Sequence, residues 1–318
     1  MARTGPRRAG IIGAVLALAA LATGCSALKL GYSQAPTAAY WWLDRYADFD
    51  AEQAPRVRER IAAWLRWHRA TQLPDYAALL GRAGQEVAAD ASAAQVCGWI
   101  DAAATRLDAA ADAALPALAA TAVTLSPAQI DRIERRLAKN NDKFAEEQLE
   151  GSREAVLERR IDKAVERSEM LYGRLDAPQR EQIARNVRES PWDPAQDLAQ
   201  RRQRQRELVA LLRRVRAERL DEARAQAAAA SYVEALRRPP DAAWRERQQR
   251  LKDFNCAAGA ALHNLTTAAQ RRTAARKLAG WQRDLAQLAA ETAALHRAPE
   301  AAQALAAAAL SAAAESPP

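Results

Sequence analysis

Long stretches of helical period, separated by short polar breaks, make up most of this chain. From Ile130 the apolar positions Ile133, Leu137 and Phe144 recur on one side, and the stripe continues loosely through Leu149, Val156, Ile161, Val165 and Met170. A second stripe, Leu198, Leu208, Leu211, Leu212, Val215 and Leu220, lies between Pro194 and Arg238. There "RRPP" breaks the chain, and Asp241 caps a new helix carrying Trp244 and Leu251. No alternation of β-branched residues is long enough for a sheet. The pattern predicts an all-α body of about six to eight helices packed as antiparallel hairpins.

Helix starts are written repeatedly. In "LSPAQI", Ser126 is the cap, Pro127 the first helical residue, Gln129 reaches back to the cap's amide and Ile130 staples onto Leu125. The same pattern recurs with Asp50 and Gln53, Asp176 and Gln179, Asp193 and Gln196, and Thr267 and Gln270. Pro74 is expected to open a further helix.

The stretch "APTAAYWWLDRYADFD" places Tyr40, Trp41, Trp42, Tyr46 and Phe49 all round one helix. Apolar residues on every side point to burial. The functional reading is an aromatic belt at a membrane surface, because Trp and Tyr favour the headgroup layer. Trp41, Trp42 and Tyr46 are therefore candidate interaction residues. A second cluster, Trp64, Trp67, His68 and Tyr76, either packs as core or roofs a ligand pocket, and Trp67 and His68 are its candidates.

Composition fits a helical body: 49% of residues are hydrophobic, 27% are charged, and there are only 12 glycines in 318 residues. The formal charge is +8. The stretch "RRQRQRELVALLRRVRAER", residues 201–219, concentrates eight of the arginines. Arginine suits bidentate contact with carboxylate or phosphate. Arg202, Arg206 and Arg213 are candidates for binding acidic protein segments or anionic lipid, against the alternative of a solvated face that keeps a long helix soluble.

Ahead of this body, Arg3, Arg7 and Arg8 precede an uncharged run from Ala9 to Gly24 that ends in small residues, the layout of a secretory signal. At roughly 16 residues the run is short for a bilayer span, which needs about 20. Leu21-Ala22-Thr23-Gly24-Cys25 resembles a bacterial lipobox. That resemblance implies cleavage before Cys25 and acylation of its thiol, a permanent anchor once two or three chains are attached. The alternative is an uncleaved anchor with a chance cysteine. Ser26 follows where the sorting pattern for inner-membrane retention has aspartate, so the expected address is the periplasmic face of the outer membrane, with the inner membrane second. Export argues against nucleic acid as partner.

In an oxidising compartment the two remaining cysteines, Cys97 and Cys256, are an even pair and favour a disulfide; two buried free thiols are the alternative. The expected organisation is a signal peptide at 1–24, a lipid-anchored tether at 25–34, a helical periplasmic body at 35–297 and an alanine-rich tail at 298–318.

"YSQAPTAAYWWLDRYADFD", "WHRATQLPDY" and Cys97 together resemble a family of uncharacterised proteobacterial α-helical lipoproteins, which the resemblance extends over essentially the whole mature chain. A weaker likeness, carried by Leu125 to Gln129 and Leu175 to Gln179, is to periplasmic chaperones marked by an L-T-x-x-Q repeat. In this chain Ser126 and Asp176 replace the threonine and cap helices equally well, so the likeness implies either a shared chaperone function or capping chemistry alone.

Catalytic equipment is sparse. None of His68, His263 and His296 lies in a serine-elbow or zinc pattern, and Leu65, Ala260 and Ala293 stand three residues before them, where a di-iron bundle needs glutamate. No metal, cofactor or enzymatic activity is expected. The expected function is a non-catalytic binding or chaperone-like envelope protein acting on unfolded or acidic proteins or anionic lipid. An enzyme or ligand carrier using the Trp64 region and a purely structural envelope lipoprotein are the alternatives.

Overall fold

The computed structural model describes residues 27–314. The signal segment, Cys25, Ser26 and the last four residues lie outside the described residues. Among the described residues there are ten helices and no strand: α1 (Ala27–Ala47), α2 (Gln53–Glu86), α3 (Ala93–Ala122), α4 (Pro127–Gln148), α5 (Arg153–Tyr172), α6 (Ala177–Glu189), α7 (Pro194–Ala217), α8 (Glu222–Arg237), α9 (Ala242–Asn264) and α10 (Ala268–Ala314).

The count exceeds the expected six to eight, and the reasons are local. The stripe from Ile130 to Met170 belongs to two helices, because the chain breaks at Gly151, with φ +97°, and Ser152 caps α5. The stripe from Pro194 to Arg238 is likewise cut at Arg219, which takes a left-handed φ of 49°, before Asp221 caps α8. A capping box at Ser92 and Gln95 opens α3. In the other direction, Pro74 opens nothing. It lies inside α2, whose neighbouring Leu73 and Ala77 are buried against Leu285 and Leu288 of α10. Packing on both sides of the proline offsets an interior penalty of about 3 kcal/mol.

One further segment differs from expectation, and the alanine-rich tail takes the helical one of its two readings, marginal helix or loose tail. Residues 27–34, assigned to a tether, form the first two turns of α1, and Leu28 and Tyr32 pack on the α2–α10 core. Residues 298–314 continue α10.

Sequence neighbours α1/α2, α2/α3, α5/α6 and α7/α8 pack on one another, but the longest contact is between α2 and α10. Within it the amide end of the Gln282 side chain lies over Gly81, 2.8 Å from where a Cβ would stand. Further long-range contacts are α3 with α8 and α9, α4 with α1 and α7, and α10 with α5. The apolar interior is divided into small clusters: Leu73 with Leu285 and Leu288, Ile130 with Val209, Leu175 with Ile183 and Leu262, and Val215 with Ala119. Many buried positions are alanine, so helix axes come close and little apolar area is available per residue.

Polar joints between helix starts supplement these small cores. Gln53, the first residue of α2, and Gln129, the third of α4, accept from the amides three residues earlier, Asp50 and Ser126, and donate to each other's side-chain oxygens at 3.2 and 2.6 Å. Their remaining amide hydrogens go to Thr124 O and Asp48 O at 2.8 and 3.1 Å. Gln179 and Gln270 repeat the arrangement, exchanging bonds of 2.7 and 2.8 Å and donating to Leu265 O and Arg174 O. The fold therefore contains two copies of one clasp, α2 start on α4 start and α6 start on α10 start.

Candidate functional site

Helix α1 is fixed to the body along one side. Lys29 bonds Gln287 and pairs with Asp284 of α10 at 3.8 Å. Tyr40 is buried beneath the Arg58 guanidinium, which stands 3.6 Å above its ring. Asn140 of α4 donates to the Tyr46 hydroxyl at 2.7 Å. The aromatic segment is thus divided: Tyr40, Tyr46 and Phe49 face the body, while Trp41 and Trp42 are 60% and 58% exposed.

Leu30, 61% exposed, shares the outward face. Leu30 and Trp41 are eleven residues apart, which places them within about 20° of each other and roughly 16 Å apart along a helix of 3.6 residues per turn. Trp42 lies a further 100° or so round the helix and covers Tyr46, ring centroids 5.1 Å apart. The resulting ridge carries Leu30, Trp41 and Trp42, with exposed Gln34 and Thr37 between the first two on the same side and Pro36 within the helix. Arg45 extends the same side as an exposed cation.

The second aromatic cluster is filled by its own side chains. Trp64 stacks on His68 at 5.1 Å, Tyr76 meets the imidazole edge-on at 5.4 Å, and Trp64 Nε1 donates to Ala110 O at 3.1 Å. Tyr32 Oη lies 3.0 Å from His68 Nδ1 and 3.3 Å from Leu65 O. Both contacts are satisfied when the phenol donates to Leu65 and accepts from the Nδ1–H of neutral His68. Burial lowers the His68 pKa and pushes the Tyr32 phenol up to about 12. An outer groove of about 400 Å³ runs along Trp64 and Trp67, floored by Pro116 and Ala117 of α3 and open to the surface. Of the two readings of this cluster, core packing describes His68 and Tyr76, which pack against neighbouring rings, while Trp64 and Trp67 also line the outer groove.

His263 is held in the same way, its Nδ1 2.9 Å from Tyr172 Oη and its Nε2 2.8 Å from Ala89 O. The side chain of His296 lies outside the described residues. Among the described residues no group of three His, Cys, Asp or Glu side chains converges as a metal site.

The arginines of α7 do not form one free basic face. Arg213 bridges Asp131 and Glu134 at 3.0 and 2.7 Å. Arg201 lies over Phe144 at 5.5 Å and Arg204 over Trp244 at 5.7 Å. Arg206 bonds Gln203, and with Arg202 it lines a groove of about 250 Å³ that also contains Glu134 and Asp142. Arg202, Arg206, Arg214 and Arg216 are exposed and make no ion pair among the described residues, so Arg213 is the one arginine of α7 that is held by carboxylates there.

Cys97 of α3 and Cys256 of α9 lie in bonding geometry, with Cα atoms 5.3 Å apart. No helix among the described residues is long and apolar enough to cross a membrane.

These features define an all-helical protein with divided cores, a cross-linked α3–α9 contact and an aromatic ridge on its first helix. Residues 45–229 match the family of unknown function DUF6279, and the chain belongs to that family. The matched segment includes the His68 cluster, the first glutamine clasp and the α7 arginines; Trp41, Trp42 and Cys256 fall outside it. No curated protein and no solved structure matches the chain.

Proposed function

We propose that the protein is a proteobacterial envelope lipoprotein, held through Cys25 in the periplasmic leaflet of the outer membrane, that acts by binding and not by catalysis. The outward ridge of α1 carries this reading. Cys25 precedes the first turn of α1 by one residue, Ser26, so acyl chains on Cys25 and a helix laid along the surface reach the same headgroup layer. In that posture Leu30 and Trp41 enter together, and transferring each exposed tryptophan contributes on the order of 2 kcal/mol. The body above is then free to bind partners in the envelope.

Two measurements test the reading separately. Labelled palmitate should enter the wild type and not Cys25→Ser; equal labelling of both, or of neither, removes the anchor. Quenchers in the acyl region of vesicles should dim the wild-type fluorescence, and the Trp41→Phe/Trp42→Phe variant should lose most of that quenching. Quenching that survives the double substitution removes the posture. For the binding role, substoichiometric protein failing to delay aggregation of an unfolded client, with failure persisting at equimolar ratio, removes the chaperone version.

A further inference from the structure

Arg160 is one of several arginines of this protein that make no ion pair among the described residues, and it lies between two clefts. It projects from the middle of α5 and stacks on Trp192, its guanidinium carbon 4.6 Å from the ring centroid. Trp192 is in turn held edge-on by Phe144 at 6.3 Å. Among the described residues Arg160 has no carboxylate or carbonyl partner, although it is half-buried. Burial lowers its pKa, as happens when a cation loses water and gains no counter-charge.

The surroundings share that imbalance. Arg160 forms the common wall of two clefts, one of about 380 Å³ between α5, the end of α6 and the 190–194 turn, the other of about 270 Å³ between α5, α6 and α9. Neither cleft is lined by a single Asp or Glu, in a chain with 39 of them. Arg153 and Arg188 stand on the rim of the first cleft; Arg188 is tied outward to Glu181 at 3.3 Å. Ser190 is shared by both clefts, and its oxygen accepts from Trp192 N–H at 3.3 Å, leaving the hydroxyl hydrogen to donate. The rest of the lining mixes apolar side chains, Val156 and Leu157 on one side and Ile183 and Leu262 on the other, with the neutral amides Gln148 and Asn186. The groove beside Arg202 and Arg206, by contrast, carries its own carboxylates.

A ring-stacked cation with no counter-ion, beside clefts of ligand size that combine apolar side chains with a few neutral polar ones, matches the usual composition of small-molecule sites. We infer that Arg160 and Ser190 form the head-group site for a single-chain anionic amphiphile, a carboxylate or phosphate monoester whose tail lies in one of the adjoining clefts. The guanidinium supplies the charge and a planar pair of donors, and Trp192 fixes its orientation. The site goes beyond the membrane posture of α1 and does not depend on it.

The test uses the full-length protein in discs of zwitterionic lipid, with empty discs subtracted, titrated with octanoate, octyl phosphate and octanol. Saturable binding of either anion at least tenfold tighter than octanol is expected, and the tighter anion identifies the head group as carboxylate or phosphate. Arg160→Gln should lose at least tenfold in affinity, Arg160→Lys should recover part of it, and Arg272→Gln, at an exposed position of α10, should behave as wild type. Octanol binding as tightly as both anions in the wild-type protein overturns the site without recourse to any variant. Absence of saturable binding, or folded Arg160→Gln binding as wild type, does so as well.

Discussion

Gln53 and Gln129, 76 residues apart in the chain, each donate one amide hydrogen to the other's side-chain oxygen and the second to a carbonyl just ahead of the other's helix cap. Two helix starts that each satisfy their own amides are thereby locked together. Replacing Gln129 with Ala removes four bonds, leaving one amide hydrogen of the buried Gln53, the Ser126 N–H and the Asp48 carbonyl without those partners, while Gln53 keeps Thr124 O and the Asp50 amide. A loss of about 2–3 kcal/mol is expected. The Gln53→Ala/Gln129→Ala double variant should lose clearly less than the sum of the single variants, because the second truncation removes a group already orphaned. Additive losses in urea unfolding would show that the two amides act independently.

The capping boxes at Ser126, Asp176 and Thr267 are legible in the sequence because each cap's partner lies three residues away. The other half of each glutamine's work is not legible. Gln179 finds Gln270 91 residues later, and no local pattern marks that partner. The breaks at Gly151 and Arg219 are hidden for a related reason, since apolar residues on either side continue the helical period across them. Trp41 and Trp42 read as candidate belt residues, but only the arrangement of α1 on α2, α4 and α10 separates them from Tyr40, the ring beside them. Arg160 carried no signal of its own, because the absence of acids around it comes from three helices distant in sequence.

His68 gives the fold a dependence on pH. Its pKa is lowered by burial, so below the unfolded-state value of about 6.5 the unfolded chain binds protons more readily than the folded one. The stabilising contribution is whole above that pH and is lost as pH falls through the folded pKa. Proton NMR should place the His68 midpoint below 6.5. His68→Gln should flatten the decline in stability between pH 7 and pH 5; a midpoint at or above 6.5 would contradict the buried, neutral imidazole.

Arg213 reaches two carboxylates yet is fully exposed, and exposed pairs add little once solvent and salt screen them. Arg213→Gln should therefore leave the unfolding midpoint essentially unchanged at about 0.15 M salt. The same substitution should leave client or lipid binding unaffected, since the guanidinium is already engaged. A clear loss of binding with unchanged stability would restore the α7 arginines as an interaction face.

The Cys97–Cys256 contact joins α3 to α9 across a separation of 159 residues. Around it, Asn264 exchanges bonds of 2.8 and 3.0 Å with the backbone at Ala91, and His263 reaches Ala89 O, so the second half of the chain is tied to the loop ahead of α3. Closing a loop of that length in the unfolded chain raises its free energy by up to roughly 5 kcal/mol, and measured effects are more often about 2–4. Reduction should lower the unfolding midpoint. Cys97→Ser and Cys256→Ser should show the same non-reducing mobility as each other, both different from wild type. Because Cys256 is fully buried, a thiol reagent added to reduced protein should modify it only after unfolding. Wild-type protein with two free thiols and the mobility of the variants would leave the α3–α9 joint without its covalent link, held by packing and the Asn264 and His263 bonds alone.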